Sequence, residues 1–463
     1  MNQEIELFNK LVTSLLRDDK EQPVVKPIPP EQLFQTLDLD LQENAISEAQ
    51  FEEILTTLVS KTPKTGNNKF FNQLFGGRQP KAVLGDLLAV ALNNSMYTYK
   101  VAGPQVGVEK AVLRKVAEMI GYPESADGTF PTGGSLSNFM GLVMARDRVG
   151  REVKEEGVRQ ELIAYTSEDS HYSNFKNASF AGLGRNNVRT IRTDDHGRMH
   201  APELKAAILK DLKNGKTPCF INATAGTTVM GAFDPIHELA DVAEEFGLWL
   251  HVDGAYCGAV IFSEKYKHYV DGLERSDSFS FNAHKMLGTP LTCSVILVKN
   301  REDLVHSFSN EADYLYQTAD DEFNLGKTSL QCGRRNEALK LWSLWKSVGT
   351  SGLAAIVDKL FELAEVARKY VADHPDYKLY TYRDSLSICF NYKGIDPRVL
   401  CTNLYTEGEL MVGYGSFRED EFVRLVAVNA NNTEEDILNF FRTLENFVDT
   451  HELVDSNFAN SKG

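Results

Sequence analysis

The sequence predicts an α/β fold, a mostly parallel sheet covered by helices, and three observations carry that prediction. Short apolar runs of strand length recur through the middle of the chain, and amphipathic helical patterns lie between them. The 463 residues amount to about three times the ~150 typical of one domain, which leaves room for one large α/β core with smaller attachments. The apolar runs fall at 162–165, 188–191, 219–223, 248–252, 278–281 and 294–298. Helical patterns occupy 202–212 and 236–246, the second with Ile236, Leu239, Val242, Ala243 and Phe246 on one face. Strands alternating with helices are βαβ units, and these build parallel sheets. Upstream, Val108, Val112, Leu113, Val116, Ala117 and Ile120 recur at helical spacing and stop at Gly121, a helix-ending residue. Residues 66–340 are expected to form this large domain. Residues 1–65 are polar, carry Pro23, Pro27, Pro29 and Pro30, and show a helical stretch near 48–60, so they read as an N-terminal arm. Residues 341–463 place amphipathic helices at 354–371 and 433–448 around strand-like 386–391 and 422–428, a small α+β domain.

Composition narrows the class. Hydrophobic residues make up 42% and charged residues 25%, which excludes a disordered or collagen-like chain. The net charge of −16 argues against nonspecific binding to nucleic acid or anionic lipid, while leaving a local basic pocket open. Six scattered cysteines without a C-x-x-C pair suit a reducing cytoplasm. No signal segment is visible, and the longest apolar stretch, 82–92, is interrupted by Asp86 and falls short of the ~20 residues a membrane span needs. A soluble, cytoplasmic protein is expected.

Four segments carry chemistry, each where a strand meets a loop. Pro131-Thr-Gly-Gly-Ser-Leu-Ser-Asn138 precedes a helical pattern reaching Arg148, with Ser135 and Ser137 able to cap its start. A helix N-terminus approached by glycine is a phosphate site, though alone the segment serves equally as a capped turn. Trp249-Leu-His-Val-Asp-Gly-Ala255 is an apolar strand ending in Asp253, a carboxylate that needs a partner or acts as a simple cap. Ser278-Phe-Ser-Phe-Asn-Ala-His-Lys285 ends a strand in Lys285, either a surface lysine or an amine activated by its surroundings. Ser167-Glu-Asp-Ser-His171 sets an imidazole after another strand, fit to stack on a planar ligand or to move protons. A phosphate cradle, a carboxylate, an amine and a stacking imidazole are the parts that hold pyridoxal phosphate.

The chain resembles the pyridoxal-phosphate decarboxylases of the glutamate decarboxylase and cysteine sulfinate decarboxylase branch (group II, fold type I). The likeness rests on KFFNQLF at 69–75, TSEDSHYS at 166–173, NATAGTTVMGAFDPI at 222–236, WLHVDGAY at 249–256, NAHKMLGTPLTCS at 282–294 and LQCGR at 330–334. The resemblance implies a fold type I homodimer in which both subunits line each site. It implies Lys285 as the Schiff-base lysine, His284 before it, Asp253 on the ring nitrogen and His171 stacked on the ring with Ala255 on the other side. It further implies Gly134, Ser135 and Ser278 on the phosphate, and Thr224 beside the cofactor's hydroxyl. Arg424, in FVRLVAV, would hold the substrate α-carboxylate. Gln73, Phe75, Ser95 and Tyr97 would line the side-chain pocket, where Phe75, Ser95 and Tyr97 resemble the cysteine sulfinate/aspartate type. The expected reaction is therefore decarboxylation of L-cysteine sulfinate to hypotaurine, of L-aspartate to β-alanine, or of both. Glutamate or another amino acid is the alternative.

Two departures from the family pattern bear on this. Asn282-Ala283 stands where the family usually has Asn-Pro. Residues 320–327 (DDEFNLGK) offer Phe323 where the family's longer loop carries a tyrosine that returns a proton to the substrate. His171, a water, Tyr314 or Tyr316 would then supply that proton, or the product would be an aldehyde. A third possibility is an inactive, partner-binding homologue, and the intact Lys285, Asp253 and His171 argue against it.

Overall fold

The six predicted apolar runs become six strands of one sheet in the computed structural model of the chain, which describes residues 2–310, 316 and 321–453. The structure consists of two compact units. The first is built from residues up to Gly77 and from Glu362 onward, the second from Arg78–Phe361.

In the second unit the strands are β1 (Asp127–Thr129), β2 (Leu162–Ser167), β3 (Val188–Ile191), β4 (Thr217–Thr224), β5 (Trp249–Gly254), β6 (Ser278–Asn282) and β7 (Ser294–Val298). Their order across the sheet is β1-β7-β6-β5-β4-β2-β3. Strands β3, β2, β4, β5 and β6 run parallel, while β7 is antiparallel to β6 and β1 antiparallel to β7. Residues Asp127-Gly-Thr gave no apolar signal for β1. Gly128 fits that edge because a Cβ there would lie 2.2 Å from the Ile296 carbonyl oxygen, and Lys110 neutralises buried Asp127 at 2.6 Å. Every residue of β2, β5, β6 and β7 is buried, as expected of strands covered on both faces.

The helices of this unit include α1 (Pro80–Leu92), α2 (Gln105–Met119), α3 (Gly134–Val149), α4 (Ala201–Lys213) and α5 (Ile236–Phe246). Helix α3 packs across β4, β5, β6 and β7. Its Gly141 permits close approach, since a Cβ there would meet the His251 ring at 3.0 Å. Helix α5 buries Ile236, Leu239, Val242 and Ala243 as the periodicity predicted, and it ends at Gly247 in the left-handed region. The parallel strands thus point their carboxyl ends the same way, and Thr224, Asp253 and Asn282 come to one edge of the sheet.

The first unit carries a five-stranded sheet in the order Phe70–Phe71, Met411–Phe417, Asp420–Val426, Ser387–Tyr392, Tyr377–Leu379. Phe70 and Phe71 pair in parallel with Met411 and Val412. Residues 66–77, expected to open the large domain, therefore build with the C-terminal strands, and 341–361 belong to the second unit. A two-residue strand is too short a signal to declare so distant a partner. The helix predicted near 48–60 is Glu48–Lys61, started by a Ser47/Gln50 capping box. Asn2–Glu21 is also a helix, which the polar reading of the arm passes over, although Ile5, Phe8, Leu11, Val12 and Leu15 recur at helical spacing. Among the described residues no helix is long and apolar enough to cross a membrane.

Candidate active site

At the carboxyl edge of the second unit's sheet, the ends of β4, β5 and β6, the first turn of α3 and the turn after β6 surround a cavity of about 210 Å³. Ligands of parallel α/β sheets bind at such edges.

The first turn of α3 supplies the anion end. The sequence offered Ser135 and Ser137 as caps, but the capping position is Gly133 (φ 94°, ψ 163°), a backbone conformation that glycine tolerates and other residues resist. Ser137 is instead fully buried, its hydroxyl 2.9 Å from that of Ser294. Gly134 and Ser135 line the cavity with the helix start carrying no side-chain cap, so its free N–H groups are available to an anion. A Cβ on Gly134 would meet Ala255 at 2.8 Å and Asn282 at 3.2 Å, so the cradle is shaped by the lack of one.

Asp253 stands near the end of β5, buried. Its Oδ2 accepts from Asn138 Nδ2 at 2.6 Å and its Oδ1 from the Ala255 N–H at 3.0 Å. Lys285 lies three residues past the end of β6, in a turn whose Lys285 N–H donates to the Asn282 carbonyl at 3.1 Å. It lines the cavity together with Asp253, His171 and Ala255. His284 is buried, and its Nδ1 accepts from the Cys293 N–H at 2.9 Å. Burial, reinforced by the Lys285 charge, lowers the His284 pKa to about 4. The ring is therefore neutral at pH 7, and its Nδ1 also lies 3.1 Å from the Cys293 carbonyl oxygen. Burial also lowers the pKa of His171, with Asp253 opposing and Lys285 assisting, and His171 Nδ1 accepts from the Ser173 N–H at 3.3 Å. It too is neutral near pH 7 with its proton on Nε2.

Thr224 closes β4, its N–H donating to Asp234 Oδ2 at 2.7 Å. The Thr224 hydroxyl and the Asn282 Oδ1 are buried in the cavity lining without a hydrogen-bond partner among the described residues. Buried polar atoms left unpaired are costly, so both mark places for a polar ligand. A helix start for a phosphate, a carboxylate near a strand's carboxyl end, an amine, a neutral imidazole and two unpaired polar atoms match the donors and acceptors of pyridoxal phosphate.

One predicted contact stands elsewhere. Ser278 begins β6, and four residues of strand, about 13 Å, separate it from the carboxyl end. Its hydroxyl accepts from Trp249 Nε1 at 2.8 Å and lies 2.8 Å from His251 Nδ1, and it is absent from the cavity lining. The lining instead includes Asn138, Gly226, Thr228, Tyr256 and Asn282, which the sequence reading did not single out. Each lies inside a motif already quoted, and Asn138 is four residues after Gly134, on the same face of α3.

The predicted substrate-pocket residues divide between the units. In the first, Arg424 Nη2 donates to the Asn72 carbonyl at 3.1 Å, Gln73 is exposed, and half-buried Phe75 lies 6.0 Å from Phe70. In the second, Ser95 and Tyr97 sit in the loop after α1. Tyr97 stacks on Tyr316 at 5.7 Å, and its carbonyl accepts from the Gly326 N–H at 2.8 Å. A Cβ on Gly326 would meet the Tyr97 ring at 2.4 Å, so the segment around Gly326 packs directly on this residue. Phe323 rests against Tyr99, 5.8 Å between ring centres. Tyr314 lies outside the described residues.

Comparison with known proteins agrees with this geometry. Residues 30–393 match the pyridoxal-dependent decarboxylase conserved domain. The chain is 35% identical over 432 residues to mouse cysteine sulfinic acid decarboxylase, covering 88% of this chain and 87% of that protein. It is 36% identical over 445 residues to the mouse acidic amino acid decarboxylase GADL1, covering 90% and 80%. The crystal structure of the mouse cysteine sulfinic acid decarboxylase superposes with a TM-score of 0.90 at 34% identity, covering 95% of this chain and 97% of that one. A cavity furnished for pyridoxal phosphate thus lies in a chain similar throughout to enzymes of one kind, and the protein belongs to the pyridoxal-dependent decarboxylase family, as an amino-acid decarboxylase with pyridoxal phosphate as its cofactor.

Proposed function

We propose that the enzyme decarboxylates a small acidic amino acid, L-cysteine sulfinate and/or L-aspartate, with Lys285 as the amine that carries the cofactor. The observation that carries this reading is the convergence of Lys285, Asp253 and His171 on one cavity. The similarity to decarboxylases named for cysteine sulfinic acid and for acidic amino acids supports the substrate class.

When bound, pyridoxal phosphate supplies an electron-accepting ring that takes up the pair left as CO₂ departs. The protein's part is placement. Asp253 would offer its carboxylate to the ring nitrogen and hold the proton there, while the start of α3 would hold the phosphate, with His284 beside the cofactor. The Thr224 hydroxyl would meet the cofactor's hydroxyl. Arg424 binds the substrate α-carboxylate. That bond stabilises the ground state as well, so its catalytic value is orientation of the bond that breaks. After CO₂ leaves, the α-carbon needs a proton. His171 Nε2 and the Tyr316 hydroxyl are the donors we assign in place of the tyrosine that residues 320–327 lack. With a chain charge of −16, attraction of an acidic substrate falls to local groups such as Arg424, against the global field.

Phe75 shortens the side-chain pocket in this reading, favouring acids one methylene shorter than glutamate. Product analysis after incubation with cysteine sulfinate, aspartate, glutamate and aromatic amino acids is expected to give amine and CO₂, fastest from the two shorter acids. Phe75→Ser is expected to move the ratio of kcat/KM values toward glutamate by about tenfold or more. Faster turnover of glutamate by the unaltered enzyme overturns the pocket argument, and aldehyde with ammonia as product overturns the proton-donor assignment.

The acting species in this proposal is a homodimer. Helix α1 leaves Leu84, Leu87, Leu88 and Leu92 40–52% exposed, and Tyr99 and Val101 beyond it are exposed too. An apolar helix face of that extent suits a second copy of the chain. Sedimentation of the purified protein is expected to give twice 51.8 kDa, and Leu88→Lys a monomer without activity. A monomeric, fully active wild type rejects the dimer. The six cysteines, none in a disulfide among the described residues and five of them buried, fit placement in the cytoplasm.

A further inference from the structure

Asp253 is the terminus of a buried hydrogen-bond chain. Trp249, His251 and Asp253 alternate along β5 and so share one face, the face that α3 covers. His251 pairs in register with Ser278 of β6. Trp249 Nε1 lies 2.8 Å from Ser278 Oγ, which lies 2.8 Å from His251 Nδ1. His251 Nε2 lies 3.1 Å from Asn138 Oδ1, and Asn138 Nδ2 lies 2.6 Å from Asp253 Oδ2. All five residues are at most 4% exposed.

The ends of this chain fix its direction. An indole N–H only donates and a carboxylate only accepts. Asn138 must therefore turn its NH₂ to Asp253 and its oxygen to His251. His251 must then carry its proton on Nε2, leaving Nδ1 to accept from the Ser278 hydroxyl, whose oxygen accepts from Trp249. Burial lowers the His251 pKa to about 4, with only the charge of Asp253 opposing, so the ring is neutral as this pattern requires. The Arg148 guanidinium, 4.0 Å over the Trp249 ring, polarises the indole N–H at the start of the chain. Were Asp253 Oδ2 to carry a proton, Asn138 and His251 would both have to turn over, and Ser278 Oγ would then take both Trp249 Nε1 and His251 Nδ1 as donors. Ser278 thus takes a role one step removed from the cofactor phosphate expected of it.

We propose that His251 and Asn138 are positioning residues, which through a donor chain running from Ser278 hold Asp253 as an acceptor toward the ring nitrogen of the cofactor. The inference rests on the reading of Asp253 given above and deepens it. Its test is the ¹⁵N resonance of ring-labelled pyridoxal phosphate in the holoenzyme, followed against pH, beside steady-state kinetics. The wild type is expected to keep a protonated ring nitrogen throughout its folded range. His251→Phe, which retains a ring and loses both nitrogens, is expected to move the resonance toward that of the neutral pyridine as pH rises. It should also lower kcat by about 10–100-fold with KM little changed. His251→Gln, whose amide can donate to Asn138 and accept from Ser278, is expected to restore both. The chain's role is refuted if His251→Phe keeps the wild-type resonance, or if His251→Gln is as impaired as His251→Phe. An unprotonated nitrogen in the wild type refutes the Asp253 assignment and the chain with it. Should His251→Phe fail to fold, Asn138→Leu removes the donor that Asp253 Oδ2 accepts from. A shift in the same direction supports the chain, and no shift refutes it.

Discussion

Lys285→Ala is expected to give a folded protein that stays colourless with pyridoxal phosphate and loses turnover by at least about 10⁴-fold. Among the described residues lining the cavity, Lys285 is the one lysine. The side chain is half-buried on a turn, and the turn's hydrogen bond to the Asn282 carbonyl comes from the backbone and survives the substitution. Stability should therefore change little, which separates loss of chemistry from loss of fold. Absorption spectra of the purified variant incubated with the cofactor check the first, and a thermal midpoint checks the second. The phosphate-end contacts proposed for Gly134 and Ser135 do not involve Lys285, so the variant should still bind the cofactor noncovalently, removable by dialysis. A covalent chromophore that persists in Lys285→Ala refutes the lysine assignment.

The legible part of this protein was the part whose physics is local in sequence. The run 294–298 matches its strand because a strand buried on both faces is apolar throughout. The cavity residues came out as a set because parallel strands deliver their last residues to a common edge, so motifs ending strands converge. The failures have equally plain causes. Ser278 belongs to the same motif as Lys285, yet strand direction puts the two at opposite ends of β6. Proximity in sequence misled there. Ser137 looked like a cap, but the cap position required a glycine backbone, and helical rotation turned the serine into the core. The pairing of Phe70 and Phe71 with Met411 and Val412 has no local signal at all. The polar chain from Trp249 to Asp253 was half visible as the alternation in Trp249-Leu-His-Val-Asp253. Its other members, Ser278 and Asn138, arrive from different elements.

Glu109→Leu should destabilise the protein by about 3–5 kcal/mol, the cost of leaving a buried charge without its partner. Glu109, on α2, is fully buried and accepts two bonds from Arg334, at 2.6 and 2.7 Å, with the Arg334 side chain only 3% exposed. Such a pair contributes little net stability because both ions are desolvated, but each makes the other tolerable. The double variant Glu109→Leu/Arg334→Met should therefore return to the wild-type urea midpoint or exceed it. An unchanged midpoint in the single variant would show that the guanidinium finds another partner. The pair also has a geometric consequence, for the Arg334 carbonyl accepts from the Met96 N–H at 3.0 Å, between Ser95 and Tyr97. Tyr97 in turn is pinned by Gly326 and Tyr316. If the double variant recovers stability while KM for the acidic substrate rises and kcat holds, the ion pair serves to place the Ser95 and Tyr97 loop. If KM is unchanged, the loop is held by the segment around Gly326 against Tyr97 alone. The two measurements separate a fold-stabilising role from a pocket-shaping one, and the expected result is the second.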